Sequence, residues 1–261
     1  MRTVAKIFGI LSLSAVLLSG CGTDEVGMAK VQVSLIDAPA DYEAVFIEIL
    51  DVQVNASGDE TKGWVSLQGA ELGIFDLLKL TNGEEAFLGE IELPAGNLGQ
   101  VRLVLGTNNQ LTTNGSTINM SVPSGAESGL KLNVHTSIEE GITYKLILDF
   151  DAARSVVKSG TSGRYNLKPV IRAAFEAQTG AINGVVAPAD AAAVVYAIQG
   201  TDTVSTYPEA SGEFLLRALD AGTYTVTAVP SETSGFQAVS IEGVQVEIGV
   251  VAQIDTLQFV N

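Results

Sequence analysis

From Lys30 onward, apolar and polar positions alternate with period two, the pattern of strands that bury one face. Leu130, Leu132 and Val134 alternate with Lys131, Asn133 and His135. Ile142, Tyr144, Leu146, Leu148 and Phe150 share one side of the next run, and Val101, Leu103 and Leu105 face away from Gln100 and Arg102. Within Ala44–Asn55 the parity changes, from Val45, Ile47 and Ile49 to Val52 and Val54, which predicts a bulge near Leu50-Asp51. Asn114-Gly115 separates two alternating runs and predicts a tight hairpin. Only Ile74–Leu80 reads as a helical turn. No long amphipathic helix is present to cross over a parallel sheet, so the pattern predicts an all-β chain.

The alternation breaks near Glu176–Gly180. Residues 30–176 form one block and 181–261 a second, so we expect two consecutive β-sandwich domains. Strands in the second block are expected at Ala181–Val186, Ala193–Gln199, Gly212–Leu216, Thr223–Val229, Val244–Ile248 and Ile254–Phe259. Charge supports the division, because Arg217 is the second block's only Lys or Arg.

Ahead of the strands, Met1–Gly20 has the layout of a secretory signal. Arg2 and Lys6 precede an apolar run, Ile7–Leu18, that is shorter than the ~20 residues a membrane-spanning helix needs. The run ends in Leu18-Ser19-Gly20-Cys21, which resembles the bacterial lipobox. That resemblance implies cleavage before Cys21 and lipidation of its sulfur, with residues 21–29 as a lipidated tether. Acyl chains stabilise membrane attachment by ~0.8 kcal/mol per buried CH₂. The expected location is the bacterial cell envelope, at the outer membrane, facing the periplasm or the outside.

Composition narrows the partners. The chain has 261 residues, 14 Lys+Arg against 30 Asp+Glu, and a net charge of −16. This acidity excludes nucleic acid, whose phosphates need a cationic surface. One Cys and one His exclude a disulfide framework and multi-histidine or Cys-rich metal sites.

Two further resemblances cover the mature chain. Val33-Ser-Leu-Ile-Asp-Ala-Pro-Ala-Asp-Tyr42, Phe75-Asp-Leu-Leu78, Leu93-Pro-Ala-Gly96, Gln100-Val-Arg-Leu103, Ser128-Gly-Leu-Lys-Leu132, Leu148-Asp-Phe-Asp-Ala-Ala-Arg154 and Tyr165-Asn-Leu-Lys-Pro-Val-Ile-Arg172 occur in order. With them, residues 31–175 resemble a bacterial lipoprotein family filed as domain of unknown function 4382, which offers no catalytic residues to carry over. Gly184-Val-Val186, Ala193–Ala197, Ser211-Gly-Glu-Phe214, Leu216, Leu219, Ala221-Gly-Thr-Tyr224 and Val226 give residues 181–261 a resemblance to the carboxypeptidase-regulatory-like, prealbumin-type sandwich, one of the carbohydrate-binding-like folds. The second resemblance implies a fold rather than a ligand.

Candidate chemistry is sparse. No phosphate loop, zinc-protease helix or nucleophile elbow is present. His135 is expected on the polar face of its strand. Ser155-Val-Val-Lys158 matches an S-x-x-K string without the companion motifs that enzymes of that type need. Asp37 and Asp41, together with Asp149 and Asp151, offer an oxygen-rich set for calcium; the alternative is that these acids cap loops or pair with Arg154 and Arg172. Arg164, Lys168 and Arg172 lie in an acid-free run and, read as one strand, share a face that would hold an anionic sugar or lipid headgroup, or else pair with acids across a sheet. Trp64, Tyr42, Tyr196, Tyr207 and Phe236 are candidate sugar-stacking aromatics, with Tyr42 and Tyr207 expected to be accessible.

The sequence thus predicts a non-enzymatic, lipid-anchored envelope protein for binding or adhesion, with a polysaccharide or another envelope protein as partner and no required cofactor. The alternatives are a structural spacer or assembly subunit, and a metal-dependent enzyme using the clustered carboxylates.

Overall fold

The computed structural model describes residues 27–57, 62–69, 72–122, 129–160 and 163–260. Cys21 and the expected signal segment, residues 1–20, lie outside these. Among the described residues, no helix is long and apolar enough to cross a membrane. The fold is all-β and built from two sandwiches, each with its own core.

In the first unit one sheet contains β1 (Met28–Ala38), β5 (Ala86–Pro94), β10 (Thr143–Asp151) and β13 (Ile171–Phe175), in the order β13-β10-β1-β5. Its central pair, β1 and β10, is parallel. The facing sheet is built around β2 (Ala44–Asn55) and β6 (Gly96–Leu105), joined by β9 (Leu130–Ile138) at one side. On the other side come β7 (Asn109–Thr113), β8 (Ser116–Ser121), β12 (Arg164–Leu167) and β11 (Val156–Ser159). Two short strands, β3 (Trp64–Ser66) and β4 (Gly73–Asp76), also pair with β2. Between the sheets lie Val33, Leu35, Ile47, Leu103, Leu148 and Phe150.

The irregularities have local causes. Ile49 pairs with Leu105 but Asp51 pairs with Val104, so Leu50 is the extra residue of a bulge and stands 57% exposed. Asn114 and Gly115 both adopt positive φ, as a type I′ hairpin between β7 and β8 requires. The turn expected in Ile74–Leu80 is a single 3₁₀ turn at Leu77–Lys79. His135 is exposed, with φ +40, where β9 carries one residue more than β6 between two ladder pairs.

In the second unit β14 (Gly180–Ala187) is flanked by β17 (Glu213–Leu219) and β20 (Val251–Gln253), with β21 (Leu257–Gln258) also on β14. The opposing sheet runs β16-β15-β18-β19, from β16 (Asp202–Thr206) and β15 (Val194–Gln199) to β18 (Gly222–Val229) and β19 (Val239–Val246). Its core contains Ile182, Val195, Phe214, Leu216, Val226 and Phe259. The periodicity did not predict β16 or β20; both are short and carry mostly polar or exposed side chains.

One feature of the first unit prepares the site. Along β1 and β10 alternation gives way to burial on both faces, at Leu35-Ile36 and Leu146-Ile147-Leu148. Ile36 and Ile147 point outward from the first core and pack with Ala174 against Ala218 of β17. The outer face of this sheet is therefore covered by the second unit.

Candidate ligand cleft between the two units

The seam between the units is held by specific polar contacts. Asn82 and Gly83 turn the chain with positive φ, a conformation Asn and Gly tolerate. Every polar group of Asn82 other than its carbonyl reaches across the seam. Its backbone N–H donates to Thr206 Oγ1 (3.0 Å), its amide nitrogen donates to Glu209 Oε1 (3.0 Å), and its Oδ1 accepts from Leu215 N–H (2.7 Å). Arg217 of β17 is clamped between Glu85 and Glu176 and also donates to Gly83 O. Lys145 Nζ joins the same carboxylates, at 2.8 Å from Glu85 and 3.6 Å from Glu176. The two cations hold Glu85 below the usual carboxylate range, against the opposing effect of burial. Tyr207 OH donates to Ala40 O (2.9 Å), and Arg172 Nη1 donates to Ala218 O (2.6 Å).

Beside this seam a cleft of about 480 Å³ opens between the units. That size lies within the range of small-molecule sites. Asp149, Asp151, Arg154 and Arg172 form the first unit's wall; Tyr196, Gln199, Asp202, Thr203 and Ser205 contribute most of the second. The two walls differ in how their polar groups are used. Asp149 lies opposite Arg172 on adjacent strands and accepts from Nη2 at 3.1 Å. Burial pushes the Asp149 carboxyl up, and Arg172 pulls it back. Asp151 caps the helical turn α1 (Ala152–Ser155), accepting from Arg154 N–H at 2.8 Å, with the Arg154 guanidinium 3.8 Å away. On the opposite wall, the side chains of Tyr196, Gln199, Asp202, Thr203 and Ser205 have no hydrogen-bond partner among the described residues. Burial, followed by the negative charge of Asp151 across the cleft, pushes the Tyr196 phenol up.

Several expected site residues are placed differently by the structure. The four carboxylates do not form a cage. Asp37 pairs with Phe150, so its side chain shares the inner face of the sheet, while Asp149 and Asp151, flanking Phe150, point to the other face. Asp37 is 4% exposed, accepts from Ala152 N–H at 3.0 Å through Oδ1, and leaves Oδ2 buried without a hydrogen-bond partner. Burial, with the nearby Asp149 and Asp151 charges adding to it, pushes the Asp37 pKa up to about 9. Asp41 lies exposed in the turn after β1. Among the described residues, no three His, Cys, Asp or Glu side chains are grouped to hold a metal ion.

The basic stripe is also divided. The chain leaves one sheet after Leu167 and enters the other at Ile171, so Arg164 and Lys168 are exposed at the rim of the large sheet while Arg172 lies in the cleft. Lys168-Pro169-Val170 makes the crossing; Lys168 N–H bonds Ser155 O, and Val170 N–H bonds Ser155 Oγ. Tyr42 is half-buried against the first core rather than accessible, and Tyr207 is half-buried in the seam, its hydroxyl committed to Ala40 O. The Trp64 ring is capped by the Arg102 guanidinium at 3.9 Å, a cation–π contact that occupies one face. Sequence reasoning missed Asn82 as a seam residue, and it named Tyr196 among the candidate aromatics while expecting Tyr42 and Tyr207 to be the accessible ones. The Asn82-Gly83 turn signal was available for Asn82; Tyr196 reads as one outward position among several on an alternating strand.

The model of a family described as "Domain of unknown function (DUF4382)" matches residues 28–169, more than half of the chain. The chain belongs to this DUF4382 family. The match spans the first unit up to the crossing at Lys168-Pro169-Val170. No curated protein matches the chain. Among solved structures, the Bacillus anthracis TIE protein is 13% identical with a TM-score of 0.24, covering 84% of this chain and 35% of its own. GBS52, the minor pilin of Streptococcus agalactiae, is 10% identical with a TM-score of 0.23, covering 88% and 96%. The streptococcal ancillary pilin is 15% identical with a TM-score of 0.21, covering 89% and 63%. This chain therefore spans about a third of the first of these proteins and less than two thirds of the last.

Proposed function

We propose that this DUF4382 protein is a non-enzymatic binding module of the bacterial cell envelope, tethered through a lipid on Cys21, which takes a carbohydrate ligand in the cleft between its two units. The observation that carries this reading is the asymmetry of the cleft. One wall has spent its charges on internal pairs and a helix cap; the other presents a phenol, an amide, hydroxyls and a carboxylate with no protein partner. Such groups match the donors and acceptors of a polyhydroxylated ligand. The pairing of Asp149 with Arg172 and the capping role of Asp151 give these acids structural duties, which favours holding over turnover.

The polar seam also supports a second reading, a rigid spacer or assembly subunit, because Asn82 and Arg217 couple the units into one body. A glycan array and a pull-down from envelope extracts separate the two. A binding module retains a glycan, whereas a spacer retains none and its deletion alters surface architecture. For the tether, Cys21→Ser is expected to move the protein from the membrane fraction to the soluble fraction; unchanged membrane retention would contradict the anchor.

A further inference from the structure

We infer that the ligand is a neutral, extended polysaccharide chain that runs from the cleft onto the outward face of β15, β16 and β18, with Tyr196 as the platform for one sugar ring. This deepens the binding reading and rests on it. The first support is charge. In the cleft Asp149 is balanced by Arg172 and Asp151 by Arg154, leaving Asp202 and Asp220 in excess. In a protein of net charge −16, an acidic glycan would meet surplus negative potential; a neutral one would not.

The second support is the character of the sheet face that continues from the cleft. Val195, Ala197, Val226 and Ala228 point into the second core, so the alternate positions point out. These include Thr203, Ser205, Tyr196, Thr225, Thr227 and Ser240, none of them charged. Tyr196 lies directly between Ser205 on one neighbouring strand and Thr227 on the other. Ile198 and Val229 add apolar surface, 37% and 41% exposed. The nearest outward carboxylate on β19 is Glu242, beside a bulge at Gly243. Hydroxyls interleaved with exposed aliphatic and aromatic carbon complement sugar rings, which carry hydroxyls at the rim and C–H groups on their faces. At ~4.8 Å per strand, the sheet spans about 14 Å from β16 to β19, room for more than one ring.

The test is calorimetric titration of the full chain, first with hits from a neutral glycan array, then with that glycan's oligomers of two to six units, alongside oligogalacturonate as the acidic probe. Affinity is expected to rise with oligomer length, and oligogalacturonate to give no heat. Tyr196→Ala is expected to weaken every oligomer by about tenfold or more, with Tyr196→Trp retaining binding. Thr225→Glu, with an unchanged melting temperature, is expected to weaken the hexamer more than the dimer. Tyr196-dependent binding of oligogalacturonate would overturn neutrality and leave the cleft as the site. Tyr196-dependent affinity that ignores length would overturn the extended path alone. An array with no neutral hit, or binding indifferent to Tyr196, would overturn both the inference and the reading beneath it. Capture of a protein by a Tyr196-dependent contact, with no glycan bound, would assign the face to a protein partner instead.

Discussion

The outward faces of the first unit's sheet around β2 and β6 and of the second unit's β16-β15-β18-β19 sheet are both solvated, yet they are built differently. On the first unit, polar side chains are paired with one another, mostly across strands and in one case along β2. Asp51 accepts from Gln53 and Ser66, Arg102 donates to Gln53 and caps Trp64, Gln100 bonds Asn133, and Gln110 bonds Asn119. On the second unit such pairs occur toward the far edge, Thr227 with Ser240 and Thr223 with Gln245, while nearest the cleft Tyr196, Thr203, Ser205 and, at the margin, Asp202 are unpaired. Cross-strand pairs stabilise a sheet by a few tenths of a kcal/mol to about 1 kcal/mol each. A face that forgoes them gives up that increment and keeps its donors and acceptors available. The comparison teaches where to look for a partner in an acidic β protein: at the surface left unpaired rather than at the charged one.

The largest expected effect concerns the sheet beneath the seam. Asp37 is neutral in the fold until about pH 9 and ionised when unfolded above about pH 4. Between these values the folded state holds one proton more, so stability falls as pH rises, by up to about 1.4 kcal/mol per pH unit from this group. Asp37→Asn should flatten that slope and raise stability at pH 8, as read by urea unfolding across pH. A slope that persists in the variant would show that Oδ2 is not where the proton is held.

The seam comes next. Arg217→Ala removes the bridge to Glu85 and Glu176 and leaves Glu85 partly buried with Lys145 as its remaining cation and the Ser34 hydroxyl as a donor. A loss of about 2 kcal/mol is expected, with increased inter-unit motion in small-angle scattering. Two units that stay as stable and as rigid as before would make the seam irrelevant to the cleft. Arg102→Ala on the paired face should cost about 1 kcal/mol or less, through the cation–π contact and the Gln53 bond. The smallest effect sharpens the comparison most: Thr203→Val on the unpaired face should change stability by less than about 0.5 kcal/mol, because it breaks no protein hydrogen bond.

Much of the fold could be read from the chain. The parity change at Leu50-Asp51 located a bulge, Asn114-Gly115 a hairpin, and Ile74–Leu80 a single turn, because each is a local conflict between chain and ladder. The double-sided burial of Ile36 and Ile147 was less legible. It depends on Ala218 of the second unit, far along the chain from both residues, although the unbroken run Leu146-Ile147-Leu148 carries its signature. The candidate site was the least legible part. Asp149, Asp151 and Arg172 reached the cleft, but as an ion pair and a cap rather than a metal cage or an anion stripe. Arg164 and Lys168 were separated from Arg172 by a change of sheet at Pro169. Tyr196 acquires meaning only once β15 is placed against the turn that follows β10.

The central claim is that the unpaired wall of the cleft is where a neutral glycan binds, and backbone amide chemical-shift mapping during titration with a neutral oligosaccharide tests it most directly. The account predicts shifts concentrated at Tyr196, Gln199, Asp202, Ser205 and Thr225, with the amides of β2, β6 and β9 unmoved. Shifts centred on the paired face around Trp64 and Arg102, or scattered without a focus, would contradict it.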